Sequence, residues 1–187
     1  MCATTAMNTP CSRKTLVLFG APHTDGATGT LLNLFLSTCE DDVMVVDCYA
    51  RAVAPCDDCR ACHQLDRCAK RDMDDIYDAL ENADRLAVVT PVYNRSFPAP
   101  LKAVIDRFQC YWAARFIRGK RPPIEREKTA LLLTVEGSSR RDGEQLKTQL
   151  EPQLTVLHVT AFDTLHVMGP DGKVDWESVA KQLDELV

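Results

Sequence analysis

The chain has 187 residues, of which 45% are hydrophobic and 26% charged, enough to bury a core of ordinary size in one domain. Its 27 acidic and 22 basic residues give a formal net charge of −5 without a long basic stripe, which argues against a nucleic-acid partner. No apolar run approaches the roughly 20 residues of a membrane helix, so a membrane partner is not expected either.

The amino-terminal segment, residues 1–12, is polar and rich in threonine, and we expect it to be a flexible tail ahead of a single domain at 13–187. The nine cysteines are an odd number, and no apolar leader precedes the first strand-like segment. These features predict a cytoplasmic protein in which Cys2 and Cys11 are free thiols.

Five short runs rich in valine and leucine alternate with segments of helical period, as in parallel strands covered by helices on both faces. The predicted strands span residues 15–19, 43–47, 85–90, 129–134 and 164–168. The predicted helices span residues 27–38, 74–82, 98 to about 112, a segment from about 143 that is interrupted at 152, and 175–186. This alternation predicts βαβ crossovers and a doubly wound α/β sheet.

The loop after the first strand, residues 20–30, is rich in glycine and threonine and opens onto the amino end of a helix. Unpaired backbone N–H groups and the helix dipole there predict a site for a ligand phosphate. Spacing excludes a Walker A loop, because five residues separate Gly20 from Gly26 and Ala27 follows, and G-x-G-x-x-G is absent. The alternative interpretation is a tight turn without a ligand.

Four cysteines follow the second strand with the spacing C-x2-C-x2-C-x5-C: Cys56, Cys59, Cys62 and Cys68. Thiolates are soft ligands, and close spacing lets one loop surround one metal ion or one iron-sulfur cluster. Acidic and basic residues balance in this segment, so local charge does not choose between a cluster, structural zinc and unmetallated, redox-labile thiols.

The loop after the third strand, residues 90–98, places Tyr93 and several polar groups ahead of a helix. Backbone N–H groups and an aromatic ring at a strand end suit a flat heteroaromatic ligand. The alternative is that Tyr93 and Phe97 only close the core.

Taken together, these segments resemble the flavodoxin-like NAD(P)H-dependent FMN reductases, including the iron-sulfur flavoproteins. The family's first loop, G-S-P-R-x-x-G-N-T, is matched at Gly20, Pro22, Gly26 and Thr28. Its second motif, P-V-Y followed by L-K-x-x-I-D-R, is matched at Pro91, Val92, Tyr93, Ser96, Leu101, Lys102, Ile105, Asp106 and Arg107. The cysteines followed by residues 72–75 resemble its C-x2-C-x2-C, C and D-D-M region. Ala21, His23 and Ala27 replace the usual serine, arginine and asparagine.

The resemblance implies an α/β, flavodoxin-like three-layer sandwich with a five-stranded parallel sheet in the order 2-1-3-4-5 and helices on both faces. It implies an FMN-dependent oxidoreductase with NAD(P)H as co-substrate, acting by hydride transfer at flavin N5 on a flavin or quinone-type acceptor, with no catalytic side chain required. The FMN-binding residues that it implies are Ala21, Pro22, His23, Thr24, Gly26, Ala27, Thr28, Pro91, Val92, Tyr93, Asn94, Arg95, Ser96, Glu136 and Gly137, with Ser138 adjoining.

The family's flavin site is completed by a partner chain, so the resemblance also implies a homodimer or higher homo-oligomer. Phe108, Tyr111 and Trp112 are the expected contact surface. One alternative function is an iron-sulfur flavoprotein that carries electrons to a redox partner protein through a [4Fe-4S] cluster on Cys56, Cys59, Cys62 and Cys68. Another is a flavin-free or zinc-bound redox-sensing module.

The remaining basic residues and histidines are not predicted to bind a ligand or to take part in catalysis. The stretch 118–121 and the pair 140–141 are expected to be solvated loop charge rather than a site for a nucleotide phosphate. His158 and His166 lie in apolar sequence and are expected to pack.

Overall fold

Five parallel strands form one sheet in the order β2-β1-β3-β4-β5, which confirms the predicted fold class and strand order. The computed structural model describes residues 13–137, 140–169 and 173–187, without the side chains of Arg140 and Arg141. The predicted tail 1–12, with Cys2 and Cys11, and Ser138 lie outside the described residues. The strands are β1 (Lys14–Phe19), β2 (Asp42–Asp47), β3 (Arg85–Pro91), β4 (Lys128–Glu136) and β5 (Val159–Met168).

Seven α-helices in the described chain cover the two faces of this sheet. They are α1 (Ala27–Thr38), α2 (Cys48–Arg51), α3 (Asp74–Asn82), α4 (Ala99–Arg107), α5 (Gln109–Phe116), α6 (Arg140–Val156) and α7 (Trp176–Leu186), with a 3-10 turn at Ala61–His63. Successive side chains of a strand point to opposite faces. Val17 and Phe19 of β1 accordingly join the core under α1 and α7, whereas Leu16 and Leu18 join the core under α3 to α6.

Three elements differ from their predicted bounds. The predicted helix from residue 98 is two helices separated at Phe108, which is fully buried. Helix α6 begins at Arg140 and continues through Pro152, which is solvent-exposed. Strand β5 begins at Val159, earlier than predicted. Its first half lies on the sheet edge, is exposed or half-buried, and has no apolar run from which a strand could be predicted.

The expected contact surface on the third predicted helix is also changed. Phe108 and Tyr111 are core residues, whereas Trp112 is 38% exposed and stacks on the exposed Phe116 with ring centroids 5.3 Å apart. In the part of the chain that the structure describes, we find no helix whose length and hydropathy would let it cross a membrane.

Lys128, the first residue of β4, is a cation enclosed by the fold. It is 2% exposed, and its Nζ donates to the carbonyls of Arg126 (2.8 Å) and Leu157 (3.3 Å). Burial, reinforced by the charge of Arg126, lowers the pKa of Lys128 from 10.5 to about 8. The charged form is therefore disfavoured in the folded protein, at full cost below pH 8 and at none above pH 10.5.

We expect Lys128→Met to remove this pH dependence. The free energy of unfolding of the variant relative to the wild type should fall by about 2–3 kcal/mol between pH 7 and pH 10.5, since one pKa unit corresponds to ~1.4 kcal/mol. Urea unfolding at both pH values measures the difference, and the titration of buried thiols cancels because both proteins share it. Lys14→Met, at the exposed first residue of β1, is the control; a flat difference for Lys128→Met as well would contradict the prediction.

Candidate functional site

Three loops meet at one edge of the sheet, where β1, β3 and β4 end. The register pairs Phe19 of β1 with Val89 of β3, and Pro91 of β3 with Val135 of β4. These strands are adjacent and parallel, so the loops that follow them leave from the same side. The predicted site residues of the first, third and fourth strands are thus brought together.

The β1–α1 loop leaves the amino end of α1 open. Gly26 is the N-cap residue; it forms no side-chain cap, and the first helical turn contains no acidic residue. The first bond of the helix joins the Thr30 amide to the Gly26 carbonyl at 2.9 Å, so the preceding amides point out of the helix. Residues 22–27 are exposed, whereas Ala21 and Thr28 are buried. The loop therefore presents backbone donors and the positive end of the helix dipole to solvent.

Two glycines set the shape of this loop by close approach. A Cβ atom on Gly29 would lie 1.9 Å from the carbonyl oxygen of Thr24, and one on Gly20 would lie 2.6 Å from Leu101 Cδ2. At Gly26, by contrast, a Cβ atom would meet no atom within 4 Å. The first turn of α1 is consequently packed against the loop backbone at Gly29 and open at Gly26.

The loop after β3 is a two-residue turn with an unusual backbone. Tyr93 and Ser96 exchange both backbone hydrogen bonds, at 3.0 and 2.9 Å, and the φ angles of Asn94 and Arg95 are 51° and 62°. Asparagine tolerates this left-handed conformation, but arginine adopts it rarely. Such non-glycine residues persist where surrounding contacts hold them, and they are frequent at ligand sites.

Contacts from α6 hold this turn. Arg95 pairs with Asp142 at 3.1 Å, as expected for an exposed arginine, and Gln149 Nε2 donates to the Arg95 carbonyl at 3.1 Å. The Ser96 hydroxyl donates to Gln149 Oε1 at 3.1 Å. Tyr93 is 44% exposed while Phe97 is buried, so only Phe97 fits the interpretation of a core aromatic.

Tyr49 is a second tyrosine at this edge that the sequence did not indicate. It belongs to the short helix α2 directly after β2, and α2 itself was not predicted. Burial, and to a smaller degree the charge of Tyr93, raises the pKa of Tyr49. Tyr49 follows β2 at the same edge of the sheet at which Tyr93 follows β3.

Glu136 points into a buried polar cluster. It is 2% exposed; its Oε1 accepts from the Thr134 hydroxyl at 3.1 Å and lies 3.5 Å from His166 Nδ1. His166 Nδ1 is also 2.8 Å from Thr134 Oγ1, and Gly143 covers the cluster so closely that a Cβ atom there would lie 2.1 Å from Glu136 Oε1. His166 lies in apolar sequence, but the groups that it contacts are polar side chains of β4 and α6. Of the predicted residues in this loop, Gly137 is the exposed one.

The four predicted cysteine ligands line one pocket, which is formed by the segment that connects α2 to α3 and by residues of α4 and α5. Lys70, Arg107 and Cys110 also line it. Cys56 and Cys59 are exposed, and Cys62 and Cys68 are half-buried. Burial, followed by the neighbouring Cys68, raises the pKa of Cys62.

The thiols do not converge on a single ion. Within the described ranges, which include all four cysteines, no three His, Cys, Asp or Glu side chains are placed to hold one metal ion. A zinc ion bonds its thiolates at ~2.3 Å and requires them to meet at one point. A [4Fe-4S] cluster attaches each thiolate to a different iron, so it does not require the four sulfur atoms to meet at one point.

Four pocket residues lie outside the cysteine motif: Lys70, Arg107, Gln109 and Cys110. Arg107 belongs to α4 and Cys110 to α5, and neither their spacing nor any local pattern connects them with residues 56–68. The basic stretch at 118–121 also contacts the cysteine segment, because Arg118 Nη1 donates to the Cys62 carbonyl at 3.2 Å. Arg118 thus braces the cysteine segment.

The doubly wound sheet with its open phosphate-type loop at the point where strand order reverses defines a flavodoxin-like α/β protein. The family profile described as NADPH-dependent FMN reductase matches residues 13–173. The chain therefore belongs to the NADPH-dependent FMN reductase family, as its loop motifs indicated.

Several characterised proteins are similar to this chain. It is 40% identical over 97 residues to an iron-sulfur flavoprotein of Methanosarcina thermophila, covering 51% of this chain and 46% of that protein. It is 38% identical over 102 residues to an iron-sulfur flavoprotein of Archaeoglobus fulgidus, covering 53% and 48%. The chain thus spans about half the length of these relatives.

Solved structures share the fold at lower identity. The NAD(P)H:quinone oxidoreductase from Methanothermobacter marburgensis superposes with a TM-score of 0.75 at 20% identity, covering 93% of this chain and 94% of that one. An FMN-dependent NADH-azoreductase from Bacillus anthracis, solved in complex with FMN, superposes with a TM-score of 0.62 at 14% identity, covering 93% and 97%.

Proposed function

We propose that the chain binds FMN at the edge formed by the β1–α1, β3–α4 and β4–α6 loops and acts as an NAD(P)H-dependent oxidoreductase. The observation that carries the proposal is the uncapped amino end of α1 beside the strained turn at Asn94 and Arg95. A helix amino end without its own cap favours a phosphate, and a turn with an exposed tyrosine suits the flavin ring. When bound, FMN accepts hydride at N5 and passes electrons on singly or in pairs.

The chain's own residues have binding and orienting roles in this proposal. The exposed side chains of His23 and Thr24 adjoin the loop amides and hydrogen-bond the phosphate, which compensates for the missing arginine at position 23. Amides of the 94–95 turn and Gly137 hydrogen-bond the polar edge of the ring, and Gln149 and Asp142 keep the turn in place. Preorganised donors of this kind stabilise negative charge on a reduced ligand.

The acceptor in this proposal is a flavin or a quinone-type small molecule. Its support is the family to which the chain belongs, together with a solved quinone oxidoreductase of the same fold. We infer a homodimer in which the exposed Trp112 and Phe116 of α5 contribute to the contact. Sedimentation of the FMN-loaded protein at micromolar concentration tests this, and a monomer would remove the partner chain from the proposal.

A second function is favoured by one specific observation. Four thiols line one pocket with the spacing of the motif, and the curated relatives are iron-sulfur flavoproteins. We infer that Cys56, Cys59, Cys62 and Cys68 hold a [4Fe-4S] cluster through which electrons leave the flavin toward a redox partner protein. In the reductase without a cluster, electrons leave the flavin directly.

Protein purified without oxygen distinguishes these functions. Flavin absorption with NADPH or NADH oxidation and no iron supports the reductase. Flavin bands on a broad shoulder, with iron and acid-labile sulfide in equal amounts, support the electron carrier. A colourless protein that does not bind added FMN would contradict both and favour the sensing module.

Substitutions of cysteines test which thiols bind the iron. In the variant Cys56→Ser/Cys59→Ser, both changes are at exposed positions, so we expect iron and sulfide to be lost while FMN absorption is kept. The control Cys48→Ala alters a fully buried cysteine outside the pocket, and its iron content should equal that of the wild type.

A further inference from the structure

Arg107, the last residue of α4, lies fully buried beneath the cysteine segment. Its side chain is 0% exposed. Nη1 donates to the Ala54 carbonyl at 2.8 Å, and Nη2 donates to the Lys70 carbonyl at 2.8 Å and to Asp72 Oδ1 at 2.9 Å. One guanidinium therefore ties both ends of the segment that carries the four thiols.

One nitrogen of this guanidinium has no hydrogen-bond partner among the described residues. Nε–H is buried and has no hydrogen-bond acceptor among the residues that the structure describes, although Arg107 lines the cysteine pocket. An unpaired donor on a buried cation costs more than one on a neutral group, and native proteins rarely leave one. A ligand that brings its own acceptor into the pocket accounts for this donor.

Arg107 is the most deeply buried of the cations around the pocket, although it pairs with Asp72 at 2.9 Å just as Arg60 and Lys70 pair with their own carboxylates. Its guanidinium stays charged, because arginine does not deprotonate in proteins and Asp72 accepts a hydrogen bond from it. Arg60 is exposed and paired with Asp58, and Lys70 pairs with Asp57 at 3.1 Å. Interactions of a charge excluded from water are stronger than those of exposed pairs.

We propose that Arg107 is a positioning residue of the cysteine pocket, whose Nε–H donates to a sulfur of the iron-sulfur cluster and whose charge makes the cluster easier to reduce. The inference rests on the iron-sulfur function proposed above. Reduction by one electron adds one negative charge to a cluster held by four thiolates, and a buried cation stabilises the reduced form more than the oxidised form. Hydrogen bonds to sulfur act in the same direction.

The test is a potentiometric titration of the reconstituted protein, followed by the electron paramagnetic resonance of the reduced cluster. We expect the midpoint potential of Arg107→Gln to be more negative than that of the wild type, and that of Arg107→Lys, which keeps the charge, to lie between them. Arg85→Gln is the matched control, because Arg85 is also buried and paired with a carboxylate, Asp41 at 3.6 Å, but lies outside the pocket, so the potential should not change.

A second variant separates this role from the structural tie. Asp72→Asn weakens the same tie, through Arg107 and the Ala54 amide (2.8 Å), but removes a negative charge, so its potential should be unchanged or more positive. Equal iron content and equal potential in Arg107→Gln and the wild type would overturn the proposal, as would a shift or an iron loss that Asp72→Asn reproduces. If Arg107→Gln retains no iron, the potential of Arg107→Lys decides: a value more negative than that of the wild type supports the proposal, and an equal value overturns it.

The iron and sulfide contents of the wild type are measured first. If it incorporates no iron and sulfide on anaerobic reconstitution, the iron-sulfur function itself fails, and this result differs from a loaded wild type whose potential does not respond to Arg107.

Discussion

The variant Gly26→Asp is expected to bind FMN at least about tenfold more weakly than the wild type, although its ligand-free form should be slightly more stable. Gly26 is the N-cap residue of α1 and has no side chain to satisfy the first amides. An aspartate there would accept from those amides and favour the helix dipole, which together contribute about 0.5–1 kcal/mol. The same carboxylate would occupy the place of the phosphate and repel it.

The size of the loss in FMN affinity follows from the repulsion between the aspartate carboxylate and the phosphate. Two negative unit charges about 5 Å apart repel each other by roughly 3 kcal/mol at an effective dielectric constant near 20. A tenfold loss of affinity corresponds to ~1.4 kcal/mol. Fluorescence titration with FMN measures the affinity, and urea unfolding of the ligand-free protein measures the stability. Because the repulsion is electrostatic, the loss should shrink at high salt.

Gly26→Ala is the control for this experiment. A Cβ atom at Gly26 meets nothing within 4 Å, so alanine adds no clash and no charge, and FMN affinity should stay within about threefold. If Gly26→Asp binds FMN as tightly as Gly26→Ala does, the phosphate does not lie at the amino end of α1.

The sheet was predictable because the buried strands have strong local patterns. The central strand β3 is buried along its length and reads as a continuous apolar run. The first half of β5 has only exposed and half-buried residues on the sheet edge, whereas Leu165 and Val167 are buried, so only its last five residues were detected. The break between α4 and α5 follows from the burial of Phe108, a tertiary effect that helical periodicity does not encode.

The candidate site was predictable where one loop carries its own chemistry, and not where side chains from distant elements meet. The β1–α1 loop and the four cysteines are continuous in sequence. In contrast, Gln149 reaches the Arg95 turn from α6, and His166 reaches Glu136 from β5. The left-handed turn at Asn94 and Arg95 has no glycine to reveal it, since α6 rather than local preference holds it.

The variant Gly29→Ala is expected to destabilise the protein by about 2–3 kcal/mol and to abolish tight FMN binding. Alanine normally stabilises a helix by about 1 kcal/mol relative to glycine. Here the added methyl would lie 1.9 Å from the carbonyl oxygen of Thr24 and 2.5 Å from its carbonyl carbon. Both are backbone atoms, so no side-chain rotation relieves the overlap, and the loop must move away from α1.

Asn33→Ala is the matched control, because Asn33 is an exposed residue of the same helix and its replacement should raise stability by a few tenths of a kcal/mol. Urea unfolding and FMN titration of both variants give the comparison. A Gly29→Ala protein as stable and as tightly bound to FMN as the wild type would mean that the loop does not depend on its packing against α1. Gly26→Asp should reduce affinity while preserving stability, whereas Gly29→Ala should reduce both, so the pair separates the charge of the phosphate loop from its shape.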